Sequence, residues 1–380
     1  MQLFFTQKGS GRPFILDSAM RWVIAVNHFL REVAVIDGKT ASWHTWRAYA
    51  YHLLDFLNFC ERIGKDWSEV MEIHLAEYRN ALLTIESSLT QRYLARETIN
   101  GRLGTVCMFY KFALNMRYIS RLPFSYKDVW VVRNRDEDMF AHANERADKV
   151  QANRLMLRTY DADLEIPPNK EIGYFIGNLS GWRDKLMAQT MWFTGMRREE
   201  MCKLTVHVIP ENPHTLAGKT NKVRIQGKGG KWRSVYVPLS LLRSVARYVE
   251  LERNPRVRRH KVKTDQIWVS DKGQPIRPPS VDKVFATNAA RCGVKLTPHD
   301  LRRSYATNRL IYLEDHDVPS AYKIVQAELG HAHLSTTLRY MRYVERMRAE
   351  VVASHGNFID QLISEIEEDE ENQEKPLERL

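Results

Sequence analysis

From Thr40 to Val132 apolar residues return every three or four positions, in stretches long enough for helices and separated by short turns. The first stretch places Thr45, Tyr49, Leu53, Phe56, Leu57, Phe59 and Cys60 at helical spacing and stops near Gly64. Val70 to Leu83 forms a second amphipathic stretch and Glu97 to Leu114 a third. In the third, Ile99, Leu103, Val106, Phe109, Tyr110 and Ala113 make an apolar stripe that reads as helix core, with Arg96, Arg102 and Lys111 on its wet side. Between Arg133 and Lys170 the pattern dissolves into alternating charge and ends at Pro167-Pro168, which reads as a linker.

The second half mixes two periods. Asp184 to Leu204 reads as one helix. Lys222 to Gln226 and Lys231 to Val237 alternate around Gly227-Lys228-Gly229-Gly230, a hairpin signature. Leu239 to Leu251 is helical, followed by a basic patch (Arg253, Arg256, Arg258, Arg259, Lys261, Lys263), a short strand at Ile267–Ser270 and the turn Asp271-Lys272-Gly273. Helices return from Ser280 to the end. These patterns predict a mainly α protein with a small β-sheet. Its parts are an N-terminal extension over residues 1–39, a helical domain over 40–133, a linker over 134–165, a mixed α/β domain over 166–358 and a tail over 359–380. The extension is either an arm that reaches a partner or an added helix on the first domain.

Composition sharpens this picture mainly through charge. The formal net charge is +11, yet residues 360–380 hold nine acidic side chains against two basic ones, so the body alone carries +18. A body that basic predicts a polyanionic partner, because each neutralised phosphate releases counterions. Ribosomal and membrane-surface proteins share that property. The four cysteines (Cys60, Cys107, Cys202, Cys292) show no paired or zinc-type spacing, which predicts free thiols in a reducing compartment. Lys8, Arg12, Asp17 and Arg21 interrupt the apolar cast of the N-terminus, so neither a signal peptide nor a membrane span is expected, and the predicted location is cytoplasmic.

The candidate chemistry lies in an ordered set: Arg197, Lys228, His299 with Arg302, His331 and Tyr340. Breaking a phosphodiester demands positive donors on the non-bridging oxygens and a proton for the departing oxygen. Two arginines can supply the first by forked hydrogen bonds, where other enzymes use metal ions. The sequence holds no carboxylates clustered in a metal-binding pattern, so no cofactor and no metal is expected. Glu200 follows Arg197 by three positions and reads either as its orienting partner or as an ordinary salt bridge. Thr297 and Pro298 suit a helix start, which places His299 in a first turn whose N–H groups favour phosphate. Lys231 competes with Lys228, His333 with His331, and Tyr343 with Tyr340. Candidate backbone contacts to DNA are Arg96, Arg102, Lys111, Arg198, Lys231 and Arg303.

Three segments carry a family resemblance: Thr194-Gly195-Met196-Arg197-Arg198-Glu199-Glu200-Met201, Thr297-Pro298-His299-Asp300-Leu301-Arg302-Arg303, and Leu329-Gly330-His331 running to Thr336-Thr337-Leu338-Arg339-Tyr340. With Lys228 they closely resemble the signature boxes of the tyrosine recombinases, the phage-integrase family, over roughly Thr40 to Val344. One departure is Arg303, where many members carry histidine. The resemblance implies a helical core-binding domain that clamps double-stranded DNA and a catalytic domain in which Tyr340 attacks the phosphate. It implies Lys228 as general acid, a covalent 3′-phosphotyrosyl intermediate, and strand rejoining without ATP. It further implies a homotetramer on two DNA sites, with room for accessory proteins, and a C-terminal helix (Val351 to Ile366) that docks on its own domain or on a neighbour. Integration, excision or transposition of a mobile element is the expected task, with resolution of chromosome dimers left open as the alternative. A type IB topoisomerase shares much of this chemistry, and a DNA-binding protein with an inactive recombinase fold shares the architecture.

Overall fold

Helices carry both of the compact units into which the chain divides, Met1–Asp161 and Ala162–Leu380, in the computed structural model. The structure describes residues 1–6, 11–33, 43–86, 93–132, 147–159, 165–213, 218–227, 230–331, 334 and 336–348. Among them no helix is long and apolar enough to cross a membrane. Lys228, His333, the apolar segment from Val351 and the acidic tail lie outside the described residues.

The first unit begins with an antiparallel hairpin, β1 (Gln2–Phe5) and β2 (Pro13–Leu16), in the register Gln2↔Leu16. Among the described residues four α-helices follow: α1 (Ile24–Arg31), α2 (Trp43–Arg62), α3 (Glu72–Thr84) and α4 (Arg96–Asn115). The apolar stripe of α4 does what its spacing predicts, since Ile99, Leu103, Val106, Phe109, Tyr110 and Ala113 are all buried. All but Ala113 join Leu53, Phe56 and Leu57 of α2 in one core, each large apolar side chain there contributing about 1.5–3 kcal/mol of burial before entropy is counted. The N-terminal residues are part of this same core. Phe29 of α1 meets the Phe109 ring edge-on at 5.8 Å, and the Asn27 amide pins β2 through paired 2.7 Å hydrogen bonds with the Ile15 backbone.

The helices expected up to Val132 give way to a strand, and part of the stretch read as a linker is its partner. Strand β3 (Tyr126–Val132) pairs with β4 (Ala147–Asn153) from Tyr126↔Asn153 to Val132↔Ala147. Beyond β4, Leu155 is buried and the Asn100 side chain holds the backbone N–H and C=O of Leu157 at 2.8 Å. The alternation that reads as loop is also the period of a two-stranded ribbon.

In the second unit α6 (Trp182–Thr194) packs against α11 (Pro298–Glu314), with α5 (Asn169–Gly177), α7 (Arg198–Cys202) and α8 (Leu239–Tyr248) around it and α10 (Pro278–Cys292) against α11. Strands β5 (Thr220–Gln226) and β6 (Trp232–Pro238) form the expected hairpin, in the register Gln226↔Trp232. A second apolar cluster joins α11, α12 (Ala321–Leu329) and α13, residues 336–348, through Leu310, Leu313, Val325, Leu329, Tyr340 and Val344.

Three expectations need correction here. The single helix from Asp184 to Leu204 is two, because Gly195 enters the left-handed region at φ +63° and ends α6. The helix from Leu239 does not stop at Leu251. A π-turn (Val249–Arg253) carries it into α9 (Asn254–Arg259), with Pro255 tolerated in the first turn of α9. The Ile267–Ser270 segment makes only isolated bridges, Thr205↔Gln266 and Val269↔Pro275, so it is not a regular strand. The basic patch shrinks accordingly. Arg253 is buried, donating to the carbonyls of Gln266 and Thr264, and Arg256 pairs with Glu252 at 2.8 Å, while Arg258 and Arg259 stay exposed.

Candidate active site

Two glycines shape this site. At Gly195 a Cβ would fall 2.4 Å from a Tyr305 ring carbon, so the turn after α6 admits no side chain. The chain then reverses to make Arg197 the N-cap of α7, where its N–H donates to Glu200 Oε2 at 2.7 Å and its Nη1 to Glu200 Oε1 at 3.0 Å. Gly330 repeats the device at the end of α12, at φ +63°, and delivers His331 directly after the turn. At the head of α11 the Asp300 carboxylate accepts from the Thr297 backbone N–H at 2.9 Å and from its hydroxyl at 2.6 Å. That capping box fixes His299 in the first turn and Arg302 one turn on, as their spacing predicts.

Arg302 is the deepest of the candidates, 2% exposed, and it donates to two backbone carbonyls: Gly195 and Leu329, each at 2.7 Å. Burial first, and then Arg197 and Arg233, push its pKa down to about 9, which still leaves a guanidinium at neutral pH. Arg197 adds a longer bond from Nη2 to the Gly330 carbonyl at 3.3 Å. Arg197, His299 and Arg302 line one cavity of about 350 Å³ together with Arg198, Glu199, Asp282, Thr297 and Pro298. The cavity walls lower the His299 pKa through desolvation, reinforced by Arg303 and Arg302.

His331 and Tyr340 stand beside this group as stacked rings, 6.1 Å between centroids and 11° apart in plane. The Thr337 hydroxyl lies 2.9 Å from His331 Nδ1. Burial, followed by Arg302, Arg197 and Arg233, pushes the His331 pKa down to about 3 and keeps the imidazole neutral. Tyr340 is 4% exposed. The charge around the phenol is activating only in sign. Arg302, Arg303, Arg339 and Arg197 favour the phenolate, but burial outweighs them and raises the phenol above its ordinary value. The rival Tyr343 instead carries the Arg346 guanidinium 5.7 Å above its ring.

The structure thus brings Arg197, His299, Arg302, His331 and Tyr340 into one region. Lys228 falls outside the described residues, but its neighbour Gly227 is placed. The Gly227 N–H donates to the Lys231 carbonyl at 2.8 Å, and a Cβ on it would stand 3.2 Å from Glu200 Oε1. Two residues went unread in the sequence. Arg233 shares the Glu200 carboxylate, donating at 2.6 and 2.8 Å, and Glu328 is a buried acid that accepts from Tyr305 and Arg309. Arg233 was legible in one respect, because alternation with buried Val235 and Val237 puts it on the inner face of β6.

Most of the candidate DNA contacts already have partners. Arg198 binds Glu199 and Asp282, Arg303 binds Asp300 at 3.0 Å, and Lys231 is exposed. In the first unit Arg102 pairs with Asp55 at 2.8 Å, Arg96 donates to the Arg158 carbonyl at 3.0 Å, and the Lys111 ammonium sits 5.3 Å over the Tyr126 ring.

Comparison with known proteins shows the family. The sequence model of the phage integrase family matches residues 170–346, and that of the phage integrase N-terminal SAM-like domain matches residues 26–116. The tyrosine recombinase XerC of Anoxybacillus flavithermus is 26% identical over 309 residues, which is 80% of this chain and 88% of the relative. The tyrosine recombinase XerD of Staphylococcus aureus is 28% identical over 240 residues, 63% and 69% of the two chains. Among solved structures, the XerH site-specific recombinase in a post-cleavage complex with its difH substrate superposes with a TM-score of 0.56 at 20% identity, covering 82% of this chain and 80% of that one. A lambda integrase dimer bound to a core site gives 0.55 at 13% identity, over 83% and 94%. Two matching domain models in family order, over a site built from two arginines, two histidines and a tyrosine, place this chain in the phage integrase family, the tyrosine-type site-specific recombinases.

Proposed function

We propose that this recombinase cleaves and rejoins DNA through a covalent 3′-phosphotyrosyl intermediate, with neither metal nor ATP. The Tyr340 hydroxyl loses its proton and attacks the scissile phosphorus; the bond to the 5′ oxygen breaks, and that oxygen leaves as a hydroxyl after taking a proton. Arg197 and Arg302 meet the charge that develops on the non-bridging oxygens, usually the largest catalytic contribution. His331 beside the phenol accepts the Tyr340 proton once the bound phosphate offsets Arg302, Arg197 and Arg233, whose charge otherwise adds to burial in depressing its basicity. Lys228, whose assignment rests on the family resemblance, supplies the proton to the leaving oxygen, and His299 donates to the phosphate from the first turn of α11. Rejoining is the same step reversed on a new 5′ hydroxyl, so the phosphate bond energy is retained in the tyrosyl link.

The observation that carries this reading is Tyr340 stacked on His331, next to two arginines whose charge points to one cavity. A homotetramer on two double-stranded sites belongs to the proposal, and a lambda integrase tetramer bound to a Holliday junction shares the fold. Integration, excision or transposition of a mobile element is its narrowest part and rests on family membership.

A nicked suicide substrate tests the chemistry, with protein–DNA adducts scored on a denaturing gel for wild type, Tyr340→Phe and Tyr343→Phe. The expected result is an adduct lost only in Tyr340→Phe. Loss only in Tyr343→Phe would move the nucleophile by one turn of α13. Tight DNA binding with no adduct in wild type would favour a non-catalytic DNA-binding role.

A further inference from the structure

Three consecutive backbone carbonyls close the C-terminus of α12, and each accepts from a different arginine. The Glu328 carbonyl takes Arg233 Nε at 2.8 Å, the Leu329 carbonyl takes Arg302 Nη2 at 2.7 Å, and the Gly330 carbonyl takes Arg197 Nη2 at 3.3 Å. Helix ends leave such carbonyls without intrahelical donors and carry partial negative charge, so guanidiniums suit them twice over. Two of these arginines open onto the cavity. Arg233 does not: its side chain is 9% exposed, and its remaining donors go to Glu200.

We propose that Arg233 is a positioning residue, which holds Arg197 in register with the Gly330–His331 turn by spanning the Glu200 carboxylate and the Glu328 carbonyl. Glu200 is 5% exposed and takes four donors, two from Arg233 and two from Arg197, which fills its acceptor capacity. Because one negative charge is divided between two guanidiniums, the trio keeps one positive charge. Without Arg233, Glu200 would be free to engage Arg197 alone, cancelling its charge and drawing its fork from the Gly330 carbonyl. Gly330 gives a separate indication of the same contact. A Cβ there would lie 2.9 Å from Arg233 Cδ, so the arginine stem packs flat against the turn that delivers His331. The Arg233 charge is also among the influences that keep His331 neutral, after burial, Arg302 and Arg197.

This inference rests on the reading of Arg197 as a phosphate-binding residue, and the test separates the two. Single-turnover cleavage of the nicked substrate is measured on the full chain at saturating DNA for Arg233→Lys, Arg233→Gln, Arg197→Lys and the double variant Arg197→Lys/Arg233→Lys. Each assay runs below that variant's own melting transition, with DNA affinity measured alongside. Both Arg233 variants are expected to cleave about 100-fold more slowly at unchanged DNA affinity, the scale of loss for a misplaced catalytic group. The double variant should be no slower than Arg197→Lys alone, since the two act as one unit. Arg233→Gln, but not the charge-preserving Arg233→Lys, should move the His331-dependent limb of the pH profile to higher pH.

Rate losses that multiply in the double variant would overturn the inference, as would losses that match the unfolded fraction. If both Arg233 variants fail to fold, Arg233 is a stability residue and the proposal is wrong. Wild-type rates in the Arg233 variants beside a slow Arg197→Lys would overturn this inference alone; a wild-type rate in Arg197→Lys would overturn the assignment of Arg197 as well.

Discussion

Arg102 in the first unit and Arg302 in the second are both arginines on long helices, turned towards the protein, and they meet opposite kinds of partner. Arg102 faces the Asp55 carboxylate at 2.8 Å, which also accepts from the Tyr78 hydroxyl at 2.7 Å, so its charge is cancelled where it lies. Among the described residues the hydrogen bonds of Arg302 go to carbonyls, those of Gly195 and Leu329, and its charge survives burial. A carboxylate gives an arginine an ion pair that stabilises the fold and leaves little field. Carbonyls satisfy the donors and leave the field intact. The same residue type therefore serves as a brace in one unit and as an electrode in the other.

The largest effect that would break this comparison is at Arg302. Arg302→Lys is expected to lower cleavage by about 100- to 1,000-fold, because an ammonium cannot hold both carbonyls and still face a phosphate; single-turnover rates on the suicide substrate check it. A rate near wild type would mean that the preserved charge has no catalytic use. The counterpart, Arg102→Met, should lower unfolding stability by about 1 kcal/mol and leave cleavage per folded molecule unchanged, read from denaturant melts beside the same assay.

A smaller effect sharpens the electrostatics of the site. The His331 pKa is depressed in the fold to about 3, against an ordinary value of about 6.5. Between those values the unfolded chain binds the proton and the folded one does not. The stability tied to a neutral His331 is therefore complete above about pH 6.5 and is lost as pH falls towards 3. His331→Gln should shed that part of the acid sensitivity, so the wild-type advantage in melting temperature at pH 7 should shrink by pH 4.5. An advantage independent of pH would show that the histidine titrates normally.

The smallest expected effect lies on α9. Arg258→Gln with Arg259→Gln should flatten the salt dependence of DNA binding by about 0.9 in log–log slope for each phosphate no longer neutralised. Arg256→Gln should leave the slope unchanged, since its charge is already held by Glu252. Titrations over a range of salt concentrations would separate the two.

What could be read from the sequence was whatever short-range chemistry dictates. The hairpin from Thr220 to Pro238 follows from alternation around a glycine-rich turn, and the start of α11 from Thr297, Pro298 and Asp300. The stripe on α4 announced its core for the same reason. The break at Gly195 was harder, since a glycine inside a helical pattern is often tolerated; the reason that only glycine fits there, the Tyr305 ring, lies far along the chain. The burial of Tyr340 and the saturation of Glu200 by Arg233 were not legible at all. Both depend on packing between elements far apart in the chain, and backbone carbonyls, which hold three of the arginines, carry no signature in a sequence. The partners of Arg96, Arg102 and Lys111 escaped for the same cause, because a wet helical face does not reveal that another element covers it.

The three arginines at the end of α12 have a consequence for how such a protein can change over generations. Each guanidinium also terminates a helix, so a substitution that removes charge from the site strips a donor from a carbonyl and loosens the turn at Gly330. A lineage drifting towards a silent DNA-binding form would have to rebuild that helix end before it could discard the charges. Selection for folding alone thus shelters the cations of the site even where selection for recombination has lapsed.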